Sequence, residues 1–255
     1  MTRSCWPTWF GSTSRAGRSR PPYRIGYCVC APARSPGPGS ARPSASAGSP
    51  PGNASRVRSE RVTRVLLLRH GEVDGSQLNA EGWWGPARDL SPLSAAGIEQ
   101  AKAAGRRLRD CGARRIVASP MTRAMQTASL IAAETRLPLT AVEFDLREWL
   151  PDATLSWRSA EAIAATEDFH RHDGEWPPGE TRTWEPQSSV RRRALGALHR
   201  QAAVDDEPFV AVCHSMVIEA LTDARRVEFC GVHEINLQDA VQPDPAEPFL
   251  PRQPA

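Results

Sequence analysis

Two short apolar runs, each ending at a histidine, constrain the fold of this chain most strongly. Val65–Leu68 is followed by Arg69 and His70, and Phe209–Cys213 is followed by His214. Runs of this length, rich in Val and Leu and ended by polar residues, are typical of buried strands. Ligands of open α/β sheets bind beyond the carboxyl ends of such strands. We therefore expect both histidines at the ligand-binding edge of one sheet.

Helical patterns alternate with these runs. After the first strand and a loop, Ser94 is a good N-cap for a helix that Gly112 would stop. A strand is predicted at 115–118, and helices at 121–135, 187–203 and 216–224, whereas 149–185 is less regular and is expected to cap the site. The alternation predicts an α/β fold: a single-domain three-layer sandwich with a mostly parallel sheet flanked by helices.

The two ends of the chain differ from its middle in composition. Residues 1–64 contain eleven Arg, nine Pro and one acidic residue, Glu60, and so carry about +10. The whole chain is +3, so the remaining residues sum to 3 − 10 = −7 and are acidic. Because an Arg/Pro/Ser-rich stretch buries too little apolar surface to offset its ordering entropy, residues 1–61 are predicted to be disordered. The domain is predicted to span 62–237, followed by a loose Pro-rich tail at 238–255.

Four interpretations of the basic N-terminal segment stay open. We favour translation from a start codon upstream of the true initiator, for which Val57 or Val62 is a candidate. A genuine tail, an organelle-targeting leader and a nucleic-acid-binding arm are the alternatives. Because the predicted domain is acidic, no nucleic-acid partner is expected.

The cysteines and the hydropathy indicate a compartment. The six cysteines have no paired CxxC spacing, which predicts neither a disulfide framework nor a zinc site. No apolar run approaches the about 18 residues of a membrane span, and no apolar stretch follows a basic start as in a secretory signal. We expect a cytoplasmic protein with no membrane contact.

The residue types at the strand ends suit phosphoryl transfer. A neutral imidazole can attack phosphorus without first losing a proton, and His70 is the candidate. Guanidinium groups donate parallel hydrogen bonds to phosphate oxygens, and Arg69 and Arg123 would fill that role. His214, if protonated, would add a further donor.

Four motifs in order carry a resemblance to a known family. "RHGE", "ASPMTRAMQTA", "LREWLPD" and "VCHSMVI" together resemble the histidine phosphatase superfamily, which has the phosphoglycerate-mutase-like fold. The resemblance implies that His70 is the phosphorylated histidine. It also implies that Arg69, Arg123 and His214 surround the phosphoryl group.

The resemblance also implies a general acid, and the sequence departs from the family at two positions. The acid falls on Glu148, whose pKa should be raised by burial or by a nearby phosphate dianion, with Glu143 and Asp145 as alternatives. Ser215 stands where the family usually has glycine, so it keeps an N–H and adds a hydroxyl that can contact phosphate. Asn79 stands further from the histidine than the family's asparagine does.

Three further groups have competing interpretations. His170, His172 and Asp173 could bind a metal, but a metal site is not expected there. The run Arg191–Arg193 is interpreted as a solvated helix face, with binding of an acidic substrate as the alternative. Trp83 and Trp84 are either lid packing or a wall for the leaving group.

These observations predict a metal-independent phosphatase that hydrolyses a phosphomonoester through a phosphohistidine, a phosphoric monoester hydrolase of the histidine acid phosphatase type. No cofactor is expected, and the partner is a small phosphorylated substrate, with a phosphoprotein left open. The alternatives are a phosphoglycerate-mutase-type phosphotransferase and a non-catalytic module that binds a phosphorylated ligand. The oligomeric state is not predicted.

Overall fold

The computed structural model describes residues 62–238 of the 255-residue chain. The predictions for residues 1–61 and for the tail beyond Gln238 lie outside the described residues. The strands are β1 Val62–Arg69, β2 Arg115–Ala118, β3 Leu139–Val142, β4 Phe209–Cys213 and β5 Val232–Gln238. The α-helices are α1 Ser76–Ala80, α2 Ala95–Arg107, α3 Thr122–Thr135, α4 Ser159–Arg171, α5 Gln187–Val204 and α6 Ser215–Leu221, with 3-10 helices at Gly85–Leu90 and Phe144–Leu146.

The strands form one mixed sheet in the order β3-β2-β4-β1-β5. The first four of these are parallel to one another, whereas β5 runs antiparallel to β1. The predicted fold class, a mostly parallel sheet flanked by helices, is confirmed. Neither β3 nor β5 was predicted, because both have alternating burial rather than a continuous apolar run.

Alternate strand residues pack on opposite faces of the sheet, as the two-residue period of a strand requires. Leu67 of β1 belongs to the core beneath α5 and α6, and its neighbour Leu68 belongs to the core beneath α2 and α3. Both side chains are fully buried. The sheet is thus covered on both faces, which explains why its central strands are apolar along their whole length.

The helices agree with the sequence pattern where their ends carry clear signals. Ser94 caps α2 by accepting the Gly97 N–H at 3.0 Å, as predicted. The predictions at 121–135 and 187–203 match α3 and α5 closely. The prediction missed α4, because Pro and Trp residues around it suggested irregular structure. No helix among residues 62–238 is long and apolar enough to cross a membrane.

Candidate active site

Three neighbouring strands end at the same level and bring their following residues together. Arg69 of β1 lies opposite Cys213 of β4, and Ala118 of β2 lies opposite Val212. One residue beyond, the His70 N–H donates to the Cys213 carbonyl at 3.1 Å. The register of the parallel strands therefore places His70, His214 and Ser119 side by side at the carboxyl edge.

Hydrogen bonds to both ring nitrogens define the tautomer of His70. Nδ1 lies 2.7 Å from the Gly71 carbonyl oxygen, which can only accept, so Nδ1 carries the proton. The Nε–H of Arg123 donates to Nε2 at 3.2 Å, so Nε2 holds the lone pair. The backbone of the histidine motif thus directs the nucleophilic nitrogen toward the arginine.

The surroundings of His70 keep its ring neutral. Its side chain is 5% exposed. Burial lowers the pKa of His70 to about 3, and the positive charges of Arg123 and Arg69 act in the same direction. The imidazole is therefore a free base at neutral pH, as the predicted nucleophile requires.

A side chain from α3 links the histidine loop to Arg123. The Thr127 hydroxyl donates to the Arg123 carbonyl at 2.8 Å and accepts the Gly71 N–H at 3.1 Å. The loop also lies close against α2, where a Cβ on Gly71 would come within 2.6 Å of the Gly97 carbonyl oxygen. Glycine is required here because the backbone of α2 occupies the space of a side chain.

Arg69 is held by the segment that leads into β5. Its guanidinium donates to the Val227 carbonyl at 2.5 Å and lies over the Phe229 ring at 4.0 Å from the centroid. The same ring lies 6.0 Å from that of His70. The buried Nε–H of Arg69 has no partner within the described structure.

His214 is fully buried and lies edge-on to His70, with ring centroids 5.1 Å apart. Its Nε2 lies 2.7 Å from the Ser119 hydroxyl, and its Nδ1 has no partner among the described residues. Burial and the charge of Arg123 lower the pKa of His214 well below its usual range. The ring is therefore neutral in this structure, and the additional positive donor considered from the sequence is not present here.

Glu148 follows the 3-10 helix Phe144–Leu146 and faces the arginines. Part of the residue is solvent-accessible, but protein atoms surround its carboxyl, and this burial raises the pKa of Glu148. The Trp149 N–H, at 2.9 Å, and the charges of Arg123, Arg193 and Arg69 oppose that rise.

The two alternative acids are engaged elsewhere. Glu143 and Asp145 each form an ion pair with Arg200, at 2.9 and 2.8 Å. Glu143 also accepts a hydrogen bond from Gln201 at 2.7 Å. Because α5 holds both carboxylates, neither is free to act as the acid, whereas Glu148 lies close enough to interact with both Arg123 and Arg69.

The interpretation of the arginine run as a solvated helix face is wrong for one of its members. Arg191 and Arg192 are exposed on α5, but the Arg193 side chain is only 9% exposed and pairs with the fully buried Glu185. The register of α5 explains the difference, since successive residues on a helix point about 100° apart.

Of the remaining groups, only Ser215 lies next to one of the two histidines. Ser215 opens α6 directly after His214. His172 pairs with Asp168 at 3.5 Å, and residues 62–238 hold no group of three metal-ligating side chains. Asn79 accepts from Arg88 at 2.7 Å. Trp83 is exposed, whereas Trp84 lines a cavity of about 600 Å³ with Trp157, Arg158 and Glu161.

Sequence reasoning missed the residues that orient the predicted set. These orienting residues are Ser119, Thr127 and Phe229. Ser119 had a usable signal in the sequence, because it directly follows the predicted strand at 115–118. Thr127 and Phe229 carry no local signal, since their contacts come from parts of the chain distant in sequence.

The fold is that of phosphoglycerate-mutase-like α/β proteins. A phosphoglycerate mutase from Bacillus anthracis superimposes with a TM-score of 0.53 at 22% identity, covering 71% of this chain and 90% of its own. A protein described as mycobacterial hydrolase 1 gives 0.52 at 23% identity, with 71% and 98% covered. At these identities the likeness concerns the fold alone.

A family model described as histidine phosphatase superfamily (branch 1) matches residues 65–239. This chain belongs to that superfamily, as the four sequence motifs predicted.

The relatives in this family are phosphatases and mutase-like proteins. The uncharacterized phosphatase PhoE of Bacillus subtilis is 30% identical, over 63% of this chain and 76% of its own length. A glucosyl-3-phosphoglycerate phosphatase of Mycolicibacterium vanbaalenii is 31% identical, over 64% of this chain and 74% of its own length. The probable phosphoglycerate mutase GpmB of Salmonella typhi is 35% identical over 47% of this chain. The match spans 56% of that relative's own length.

Proposed function

We propose that this chain is a phosphatase that hydrolyses a phosphomonoester through a phosphohistidine formed on Nε2 of His70. The observation that carries the proposal is the pair of hydrogen bonds on that ring, to the Gly71 carbonyl at 2.7 Å and from Arg123 at 3.2 Å. They leave a neutral nitrogen with a directed lone pair beside a guanidinium group. In-line attack on phosphorus needs this lone pair free, so the Arg123 N–H would have to move from Nε2 to an oxygen of the bound phosphate.

The transferred phosphoryl group would be held by fixed donors rather than by a cofactor. Arg69 and Arg123 contribute guanidinium N–H groups, and Arg69 has a buried Nε–H without a partner in the described part of the chain. His214 and Ser215 would contact the remaining oxygens. Donors already in place when charge develops need no reorganisation during the reaction. The proposal therefore includes no metal ion and no organic cofactor.

Glu148 would act as general acid and then as general base. Its raised pKa favours the protonated form that the first step needs. As the bond between phosphorus and the leaving oxygen breaks, the Glu148 proton passes to that oxygen and the alcohol departs. In the second step the Glu148 carboxylate accepts a proton from water, whose oxygen attacks phosphorus, and inorganic phosphate and neutral His70 are released.

Binding of the phosphate would change the charge of His214. Its pKa is low in this structure because the ring is buried among positive charges. A phosphate dianion nearby stabilises the imidazolium form and offsets that effect. His214 could then donate to the phosphoryl group while Ser119 accepts its other N–H, as the 2.7 Å contact allows.

The first measurement is hydrolysis of p-nitrophenyl phosphate by the full chain in the presence of EDTA. The second uses the same substrate with a labelled phosphate group and a rapid quench without acid, which preserves labelled phosphohistidine on the protein. Wild-type protein should turn over and carry label, whereas His70→Ala should do neither. His170→Ala, on the exposed end of α4, is the matched control and should behave as wild type. Equal turnover in His70→Ala, or turnover lost on chelation, would rule out the mechanism.

A phosphotransferase is the second candidate, favoured by the 35% identity with the probable phosphoglycerate mutase GpmB. It uses the same residues but returns the phosphoryl group to another hydroxyl. A panel of phosphorylated sugars, sugar acids and phosphopeptides separates the two activities. A phosphatase would release inorganic phosphate, whereas a phosphotransferase would form an isomerised product. The panel includes glucosyl-3-phosphoglycerate, the substrate in the name of the Mycolicibacterium vanbaalenii relative. Binding without either product would indicate the non-catalytic module.

A further inference from the structure

A buried ion pair lies directly behind the acid-bearing segment. The Arg193 guanidinium, on α5, donates Nε–H to one Glu185 oxygen at 2.7 Å and an Nη2–H to the other at 2.9 Å. Glu185 is completely buried. A bidentate pair of this kind fixes the plane of the guanidinium group, because both groups are planar.

The remaining N–H groups of Arg193 hold the backbone that carries Glu148. Nη1 donates to the carbonyls of Asp145 and Arg147, each at 2.7 Å. Nη2 also donates to the Glu148 carbonyl at 3.2 Å. One guanidinium thus contacts three carbonyl groups within four consecutive residues.

Glu185 holds the same segment from its other side through its main chain. Its carbonyl accepts the Trp149 indole N–H at 2.6 Å, and its N–H donates to the Leu150 carbonyl at 2.9 Å. Residues on both sides of Glu148 are therefore attached to one ion pair, which holds the backbone from which the Glu148 side chain projects.

We infer that Arg193 and Glu185 are positioning residues that set the place of the Glu148 carboxyl group relative to the leaving oxygen. The pair touches no reacting atom, and the inference rests on the proposed role of Glu148 as general acid. A buried ion pair contributes little net stability, because desolvation of both charges offsets their attraction. The five N–H groups of Arg193 instead fix the geometry of the segment that they contact, which neither an apolar pair nor a lysine could do.

This role makes a distinctive kinetic prediction. Protonation by Glu148 matters most when the departing alkoxide is a strong base, as with an alkyl phosphate. It matters little for p-nitrophenyl phosphate, because nitrophenolate is a stable anion. A displaced Glu148 should therefore slow the first step, up to release of the alcohol, selectively for the alkyl phosphate, whereas a general loss of fold would slow that step equally for both substrates.

The experiment compares Arg193→Lys, Glu185→Gln and Arg193→Ala in the full chain, with glycerol 2-phosphate and p-nitrophenyl phosphate as substrates. The exposed Arg192→Ala is the matched control and should behave as wild type. We expect Arg193→Lys and Glu185→Gln to lose roughly tenfold or more in kcat/KM on glycerol phosphate but under about threefold on nitrophenyl phosphate. The ratio kcat/KM reports only the steps up to release of the alcohol, so it excludes the later hydrolysis of the phosphohistidine, which both substrates share.

Glu148→Gln is the reference that separates this inference from the proposed function. If its kcat/KM falls selectively on the alkyl phosphate but that of the pair variants falls equally on both substrates or on neither, the positioning role is overturned and the proposed function stands. If Glu148→Gln itself shows no selectivity, the general-acid assignment fails, and this inference with it. Unfolding of all three pair variants would identify the pair as a structural element and would also overturn the positioning role.

Discussion

The Ser119 hydroxyl lies 2.7 Å from Nε2 of His214, and both residues are completely buried. The contact joins the ends of β2 and β4, so one strand end orients the side chain of the next. It gives His214 a fixed ring orientation in a site where its Nδ1 has no other partner among residues 62–238.

We expect Ser119→Ala to lower kcat by about tenfold, since loss of a buried partner costs about 1–3 kcal/mol at the group left behind. Ser129→Ala is the control, because that hydroxyl is exposed and bonds only its own helix at Met125. Steady-state kinetics on p-nitrophenyl phosphate would measure the difference. Unchanged kcat in Ser119→Ala would show that His214 needs no orienting hydroxyl.

Acid should destabilise the protein through His70. Its pKa is 6.5 when exposed and about 3 in the folded chain, so the unfolded chain binds a proton that the folded chain does not between these values. The stability contribution is fully present above pH 6.5 and is lost as the pH falls toward 3. Between these two pKa values, one such proton lowers the free energy of unfolding by about 1.4 kcal/mol for each pH unit of acidification.

Urea unfolding of wild type and His70→Gln from pH 8 to pH 4 checks this sign. Below pH 6.5 the free energy of unfolding of wild type should fall more steeply than that of the variant. His214 contributes in the same direction in both proteins, because its pKa is also lowered. Parallel curves would show that His70 titrates normally in the fold.

Removal of Arg123 should impair turnover more than folding. We expect Arg123→Ala and Arg123→Lys to lose about 10²–10³-fold in kcat, because a lysine cannot donate to His70 and to a phosphoryl oxygen in one plane. Arg109→Ala, an exposed arginine that bonds Glu134, is the control. Turnover in Arg123→Lys close to wild type would mean that charge alone is sufficient.

Two glycine-to-alanine substitutions should have opposite effects on stability. Gly71→Ala would place Cβ 2.6 Å from the Gly97 carbonyl oxygen, and overpacking of this kind costs about 1–3 kcal/mol. Gly196→Ala, within α5, meets nothing closer than an Arg200 nitrogen at 3.6 Å and should gain about 0.5–1 kcal/mol. Thermal unfolding measures both, and a stable, active Gly71→Ala protein would contradict the close approach.

Sequence patterns found the residues at strand ends because continuous apolar runs are a strong local signal. β1 and β4 were predicted on that basis, and with them the positions of His70 and His214. The edge strand β5 was not predicted, because only alternate residues of it are buried or half-buried and it has no continuous apolar run. Register and strand neighbours, which bring these histidines together, depend on pairing across the whole chain and were expected only by analogy with α/β sheets.

The least predictable feature was the difference between Arg193 and its neighbours. Three consecutive arginines look alike in sequence, and only the buried carboxylate of Glu185 selects one of them. That carboxylate lies in a Trp-rich stretch interpreted as an irregular cap. The role of Ser119 could not be predicted either, because its partner lies 95 positions away.

The order of strands in the sheet has a consequence for how the protein is made. β1, which leads into His70, is the first of the described strands to leave the ribosome, yet both of its neighbours, β4 and β5, come last. Its backbone N–H and C=O groups can therefore form their sheet hydrogen bonds only after residues 209–238 have been synthesised. Contacts this distant in sequence form slowly, because loop closure comes before any stabilising contact. A nascent chain would thus carry its apolar first strand unpaired through most of synthesis, and chaperone binding in that interval should concentrate on residues 62–69.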